Sequence, residues 1–266
     1  MLDRYNRKIN YLRISVTDRC NLRCKYCMPA EGIKLFPHNE ILSFDEIVEV
    51  IKTGVEMGID KIRLTGGEPL VRKGIVDLVA MISKIKGLKE ITMTTNGILL
   101  DKFAQPLADA GLDRVNISLD TLNPEKYHEI TRLGDIDKVF AGIEAAKKAN
   151  LTPVKINCVV MNSSEEEDAK QVRKFCAENN LMVRFIHQMD LNTGKFSIVE
   201  GGSGGDCKHC NRLRLTANGK IKPCLFSDME YDVRELGIEK AYKLALENKP
   251  KSGTYNHSGK FYNIGG

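Results

Sequence analysis

The chain has no tryptophan, only 6% aromatic residues and five histidines in 266 residues. No apolar run approaches the roughly 20 residues that a membrane-spanning helix requires. The opening stretch, MLDRYNRKINYL, has no apolar h-region, so we expect no secretory signal and a cytoplasmic protein. Basic blocks are also missing. The net charge of +5 is spread along a chain that is 28% charged, which fits a solvated surface. A basic pocket for a small anion is expected rather than a nucleic-acid stripe, and no membrane partner.

Cysteine is not scarce: there are eight. Without an export signal a disulfide framework is not expected, and metal or redox chemistry is the better reading. Six fall in two tight clusters. Cys158 lies in the apolar run 156–161 and Cys176 in a helix-like stretch. Both read as small core residues.

A chain of this length can bury a full core. Apolar runs alternate with helical patterns in six β/α units. Strands are predicted at 11–16, 61–65, 90–94, 114–119, 154–161 and 182–187. Helices are predicted at 43–56, 74–85, 101–110, 136–150 and 165–179. Ser43 followed by Glu46 is a capping box for the first helix. Units of this spacing imply parallel strands with right-handed crossovers. The choice is a partial (βα)6 TIM-type barrel or a doubly wound α/β sheet. In either, ligands gather at the C-terminal ends of the strands. After Leu191 the pattern breaks. We divide the chain at 1–190 (barrel) and 191–266 (C-terminal extension). The stretch Gly201-Gly-Ser-Gly-Gly205 reads as a flexible connector, or as a Gly/Ser linker replacing a deleted segment. The extension is too small to fold without a metal or docking onto the barrel.

Cys20, Cys24 and Cys27 have C-x3-C-x2-C spacing. Three thiolates can hold three irons of a 4Fe–4S cube and leave the fourth open. S-adenosylmethionine (SAM) can chelate that iron, and electron transfer into its sulfonium releases a 5′-deoxyadenosyl radical. Zinc is the alternative, but no fourth Cys or His lies near in sequence. Cys207-Lys-His-Cys210 and, thirteen residues on, Cys224 offer a second triad. Either a second open-iron cluster or a zinc site completed by His209 is allowed there. Between these cysteines, Arg212 and Arg214 share one strand face. Lys61 and Arg63 alternate likewise, and such pairs suit a phosphate-bearing ligand.

The motif C-x3-C-x-Φ-C, with Tyr26 before the last cysteine, resembles the radical SAM superfamily signature. So does Gly66-Gly67-Glu68-Pro69 one β/α unit later. In that family the Gly-Gly-Glu segment meets the SAM ammonium, for which close backbone and a carboxylate are suited. Further stretches, 12–29, 61–70, 94–97, 116–120, 184–186 and 207–226, resemble the branch that cyclises GTP in molybdenum cofactor biosynthesis, a lyase reaction. The resemblance implies two 4Fe–4S clusters, SAM as cofactor and GTP as substrate. It implies that Arg13, Lys61, Arg63, Lys155, Arg184, Arg212 and Arg214 hold GTP. Tyr26, Gly66, Gly67, Glu68, Thr95, Ser118 and Met189 would surround SAM. The second cluster would take the guanine ring. Arg212 or Arg214 would also help reduce or protonate the radical left on the ring. An electron donor such as flavodoxin, a downstream pterin synthase and a homodimer are the implied partners. The closing Gly265-Gly266 matches a tail that reaches into the active site of that branch.

Two features depart from the pattern. The segment before the second triad is cut to 190–206, and His187 stands where the branch has Glu. His187 is expected in the core or behind the site rather than as a ligand. The alternatives are a radical SAM enzyme with an auxiliary cluster acting on a peptide or another nucleotide, or an engineered, catalytically impaired variant.

Overall fold

The computed structural model describes residues 1–258 and 261–264; the Gly265-Gly266 tail lies outside the described residues. Chain order begins β1 (Tyr11–Ser15), α1 (Phe44–Glu56), β2 (Lys61–Thr65), α2 (Ile75–Ser83), β3 (Glu90–Thr95), α3 (Leu100–Asp109) and β4 (Arg114–Ser118). Next come α4 (Pro124–Thr131), α5 (Ile136–Lys148), β5 (Lys155–Val160), α6 (Glu167–Glu178) and β6 (Met182–His187). The extension adds β7 (Arg212–Leu215), β8 (Lys220–Lys222), β9 (Tyr231–Asp232), α7 (Val233–Leu236), α8 (Ile238–Glu247) and α9 (Phe261–Ile264). All six predicted strands are present.

The strands form one sheet in the order β6-β5-β4-β3-β2-β1-β7-β8-β9. Strands β1 to β6 are parallel to their neighbours. This is the partial barrel with a C-terminal extension. The extension does not stand apart. Its β7 pairs parallel with β1, Tyr11 opposite Arg212 and Arg13 opposite Arg214, and β8 and β9 follow antiparallel.

Alternation along each strand decides what faces where. Leu12, Ile14, Ile62, Leu64, Val115, Ile117, Ile156, Leu213 and Leu215 are all 0% exposed, in one core with the helices. Each contributes about 1.5–3 kcal/mol by burial. Cys158 and Cys176 belong to this core. The alternate positions are polar: Tyr11 and Arg13, Lys61 and Arg63, Glu90 and Thr92, Arg114 and Asn116, Lys155 and Asn157, Arg212 and Arg214. A TIM barrel usually fills its interior with branched apolar side chains. Here the inner face is charged, and the interior is a cavity.

Helix starts follow local chemistry. The Ser43 hydroxyl accepts from Glu46 N at 3.2 Å, and Ser43 N donates to the Glu46 carboxylate at 2.7 Å, the predicted capping box. Helix α4 was not predicted. Asn123 caps it by accepting from Lys126 N at 2.9 Å, with Pro124 at its first position. The 201–205 stretch is also more ordered than a flexible connector. Glu200 and Phe185 exchange both backbone hydrogen bonds at 3.1 Å, and Val199 N donates to Gly204 O at 2.8 Å. Gly205 has φ +76°, and a Cβ there would sit 2.0 Å from Ser197 O. Glycine is required at that position by a tight turn folded back on itself.

Candidate functional site

A cavity of about 480 Å³ opens inside the barrel, and both cysteine triads line it. The first triad lies on the loop leaving the C-terminal end of β1. Four bonds from two arginines hold that loop. Arg23 Nη1 donates to Cys20 O at 2.7 Å and Leu22 O at 2.9 Å. Arg132 Nη1 donates to Arg23 O at 2.6 Å and Met28 O at 3.0 Å. The end of α4 adds backbone bonds from Arg23 N to Thr131 O and from Lys25 N to Ile130 O, both 3.0 Å. The unpredicted helix is thus what the cysteine loop leans on.

Burial pushes the Cys20 thiol up to about 11 and those of Cys24 and Cys27 up to about 12. Cys27 and Cys20 add to the rise at Cys24, and Cys20 to that at Cys27. Acidic neighbours reinforce it: Glu68 at Cys20 and Asp120 at Cys24. Three thiols whose charges oppose one another fit a cationic metal centre, which relieves that opposition. Among the described residues no group of three converges on a single ion. A 4Fe–4S cube does not need that, because each thiolate meets its own iron.

Gly67 packs against the cysteine loop so closely that a Cβ would lie 2.3 Å from Arg19 O. Its N–H donates to Thr17 O at 2.7 Å, and Glu68 N to Arg19 O at 2.8 Å. The Glu68 carboxylate is buried and points inward. It accepts from Leu70 N (3.0 Å), Thr95 Oγ1 (2.8 Å) and Asn96 N (2.7 Å). Burial still raises it to about 7. Asn96 Nδ2 reaches Asn21 Oδ1 at 2.8 Å. The cysteine loop, the Gly-Gly-Glu turn and the end of β3 therefore form one network. Tyr26 donates its hydroxyl to Asp120 at 2.9 Å, and Asp120 accepts from Val159 N at 2.8 Å. Ser118 and Met189 also line the cavity.

The register carries the basic residues to the opposite end. Arg214, Arg13, Arg63 and Thr92 are successive partners across β7, β1, β2 and β3, and Arg114 pairs with Thr92. One row nearer the strand starts are Arg212, Tyr11, Lys61 and Glu90. Arg184 reaches the wall from β6. Burial, then the charge of Arg214, pulls Arg13 well below its ordinary value. Burial likewise lowers Arg63 and Arg184, and brings Arg214 to about 10, with Arg212 adding to the effect. Against these cations stands Glu90, whose carboxylate is engaged by Arg114 at 2.6 Å. A polyanion would relieve this convergence of positive charge.

Lys155 is the one predicted residue off the cavity wall. It is tied to the set electrostatically: burial, then Arg184, Arg114 and Arg63, pull it down to about 8. Arg114 lines the cavity and was not predicted. His187 lies on the wall, 3.7 Å from the Glu200 carboxylate.

Cys207, Cys210 and Cys224 line the cavity beside Arg212 and Arg214. Burial raises the Cys210 thiol, but Lys249, a hydrogen bond from Arg212 N and the charges of Arg212 and Arg7 together leave it lowered. Burial leaves Cys224 raised, with Lys249 and Arg214 opposing. His209 is turned outward, its side chain 69% exposed and its Nδ1 at 2.7 Å from Asp206. The turn at 201–205 touches the same arginines. Arg184 Nε donates to Gly201 O at 3.3 Å, and Arg212 Nη2 to Ser203 Oγ at 2.5 Å. Phe261 of α9 also reaches the cavity.

Residues 14–176 match the Radical SAM superfamily, and residues 151–255 match Molybdenum Cofactor Synthesis C. A GTP 3′,8-cyclase of Thermodesulfovibrio yellowstonii is 44% identical over 282 residues, covering 89% of this chain and 88% of its own length. One of Alkaliphilus oremlandii is 44% identical over 299 residues, covering 94% and 93%. This chain belongs to the GTP 3′,8-cyclase family of radical SAM proteins. Both alignments are longer than the 266-residue chain, so these cyclases carry residues with no counterpart here. That agrees with the short segment before the second triad. Solved structures share the radical SAM fold at low identity. A structure of anSMEcpe with bound AdoMet gives a TM-score of 0.66 at 18% identity, covering 91% of this chain and 78% of that one. Streptococcus suis SuiB bound to precursor peptide SuiA gives 0.65 at 17% identity; this chain spans 65% of that longer protein. Membership of the family brings SAM and an iron–sulfur cluster with it. No helix among the described residues is long and apolar enough to cross a membrane.

Proposed function

We propose that this chain converts GTP to its 3′,8-cyclised isomer, the first step of molybdenum cofactor biosynthesis. The observation that carries the reading is one cavity with the first cysteine triad at one end and, at the other, the second triad beside a register-aligned row of arginines. Cys20, Cys24 and Cys27 would hold a 4Fe–4S cluster, which with SAM would supply a carbon-centred radical able to take the ribose 3′ hydrogen, so that C3′ could bond to guanine C8.

The protein's part is to bind, orient and hold protons. Gly66 and Gly67 bring backbone close to the SAM ammonium, and Glu68 fixes the loop that does so. Thr95, Ser118 and Met189 complete that wall, with Tyr26 held by Asp120. Arg13, Lys61, Arg63, Lys155, Arg184, Arg212 and Arg214 take the triphosphate end of GTP and so set the ribose between the two triads. Cys207, Cys210 and Cys224 would hold a second 4Fe–4S cluster, whose open iron could take the guanine ring. Arg212 and Arg214 keep a proton within reach of the nitrogen beside C8. An external donor would supply two electrons, one to cleave SAM to methionine and the radical and one, with a proton, to complete an isomer of GTP; the 3′ hydrogen would leave in 5′-deoxyadenosine. A flavodoxin-type donor, a downstream pterin synthase, a homodimer and a cytoplasmic setting are consistent with this chemistry. In functional terms residues 1–190 form the radical-generating part and 191–266 the substrate-side part.

The test is anaerobic reconstitution with iron and sulfide, then dithionite, SAM and GTP, read by mass spectrometry. Formation of 5′-deoxyadenosine with an isomer of GTP is expected. If 5′-deoxyadenosine forms while GTP stays unchanged, the radical chemistry stands and the substrate assignment falls.

A further inference from the structure

The second triad lies within residues 207–224, and two buried cations from elsewhere in the chain, Arg7 and Lys249, tie its segments together through backbone carbonyls. Arg7 is 9% exposed and is fixed by Asp3, Nε to Oδ2 at 2.6 Å. Its Nη1 donates to Cys207 O at 2.8 Å and to Lys251 O at 3.0 Å, and its Nη2 to Pro250 O at 2.7 Å. Lys249 is 1% exposed. Its ammonium donates to Arg212 O at 2.7 Å and to Pro223 O at 2.5 Å. Arg212 lies two residues after Cys210, and Pro223 immediately precedes Cys224. The turn after α8, at 249–251, is therefore a hub to which all three cysteine segments are bonded.

We propose that Arg7 and Lys249 are positioning residues for a metal centre on Cys207, Cys210 and Cys224, which makes the N-terminal segment part of that site. The proposal rests on the second-cluster reading above. A structural role alone does not call for ions. The five carbonyls could be satisfied by neutral donors, and burying an ammonium is costly unless a charge nearby repays it. The acceptors of Lys249 are neutral carbonyls, so its charge is not spent on them. It lines the cavity and is the foremost charge acting on both Cys210 and Cys224. Three thiolates arriving at one centre bring the negative charge that this arrangement awaits. Lys249 thus serves twice: its bonds set the spacing of the loops, and its charge offsets the thiolates; Arg7, its charge met by Asp3, sets the spacing.

The experiment compares the full chain with Lys249→Met and Lys249→Arg. Each is reconstituted anaerobically with iron and sulfide, then read by iron content, by the spectra of the reduced clusters and by the midpoint potential of the second cluster. Formation of 5′-deoxyadenosine without GTP serves as the control for the first site. The wild-type chain should hold about eight irons, as two 4Fe–4S clusters require. Lys249→Met should fall to about four, or keep the second cluster at a more negative potential, while the first-cluster signal and SAM cleavage persist. Lys249→Arg should recover the wild-type iron content. Wild-type iron content and potential in Lys249→Met would overturn the proposal. So would loss of both clusters from both variants, which would make Lys249 a residue of the general fold. If the wild-type chain holds only about four irons, the second-cluster reading itself fails, and this inference with it.

Discussion

The two cysteine triads are built alike and charged differently. Each is held by two cationic side chains that grip backbone carbonyls of its loop: Arg23 and Arg132 at the first, Arg7 and Lys249 at the second. Around the first, Arg23 at Cys20 is set against the buried acids Glu68 and Asp120, raised by burial to about 7 and about 6. Around the second, the neighbouring ionisable groups are Lys249, Arg212, Arg214 and Arg7. The geometry of clamping is therefore a shared device, and the surrounding charge sets what each end accepts. SAM carries an ammonium and a sulfonium and suits the acidic end. A nucleoside triphosphate suits the basic one.

The largest test of this contrast removes one cysteine from each triad. Cys24→Ala should abolish 5′-deoxyadenosine formation while the second triad keeps its iron. Cys224→Ala should keep 5′-deoxyadenosine formation and lose the cyclised nucleotide. Iron analysis and product mass spectrometry on both variants read the outcome. If either change empties both triads, the two ends are one cooperative unit and the contrast fails.

A smaller effect sharpens the basic end. Burial and the charges of Arg184, Arg114 and Arg63 hold Lys155 down to about 8. A bound triphosphate favours the ammonium and raises that value. The free protein sheds the Lys155 proton above pH 8, so binding there must take a proton up. GTP affinity should then fall as pH rises through 8, by at most about tenfold per pH unit. Titrations of GTP across that range should show the slope in the wild-type chain and lose it in Lys155→Met. A slope that survives in Lys155→Met would assign it to another group.

Much of this was legible in the sequence, for a physical reason. The six β/α units are strongly periodic, and the cysteine motifs fall just after strands, where ligands collect. Lys61, Arg63, Arg212 and Arg214 are legible because charged and apolar residues alternate along β2 and β7, whereas Arg13, Lys155 and Arg184 follow only from the family resemblance. What escaped reading depends on long-range pairing. Nothing local in Arg212–Leu215 says that it joins β1 in parallel, and nothing marks Arg7 or Lys249 as partners of cysteines distant in the chain. Arg114 escapes because the matching stretch of its strand begins two residues later, at Asn116. Helix α4 did have a signal, Asn123 before Pro124, but it spans only Pro124–Thr131, and its buried residues are Tyr127 and Thr131 alone. Composition suggests a flexible connector or a Gly/Ser linker at 201–205; the turn it forms, with positive φ at Gly201 and Gly205, depends on packing against Val183 and Ser197 that composition does not show. The resemblance places Glu68 at SAM, and the structure puts it on the cavity wall; the hydrogen bonds its carboxylate accepts from Thr95 and Asn96 are visible only with β3 in place.

The measurement that bears most directly on the division of the cavity is Arg212→Ala, reconstituted anaerobically and assayed for GTP binding and reductive SAM cleavage together. Losing this charged contact should weaken GTP binding by about 1.5–3 kcal/mol, roughly 10- to 150-fold, while SAM cleavage remains measurable. Loss of SAM cleavage as well, with both clusters intact by iron content and spectra, would contradict the account.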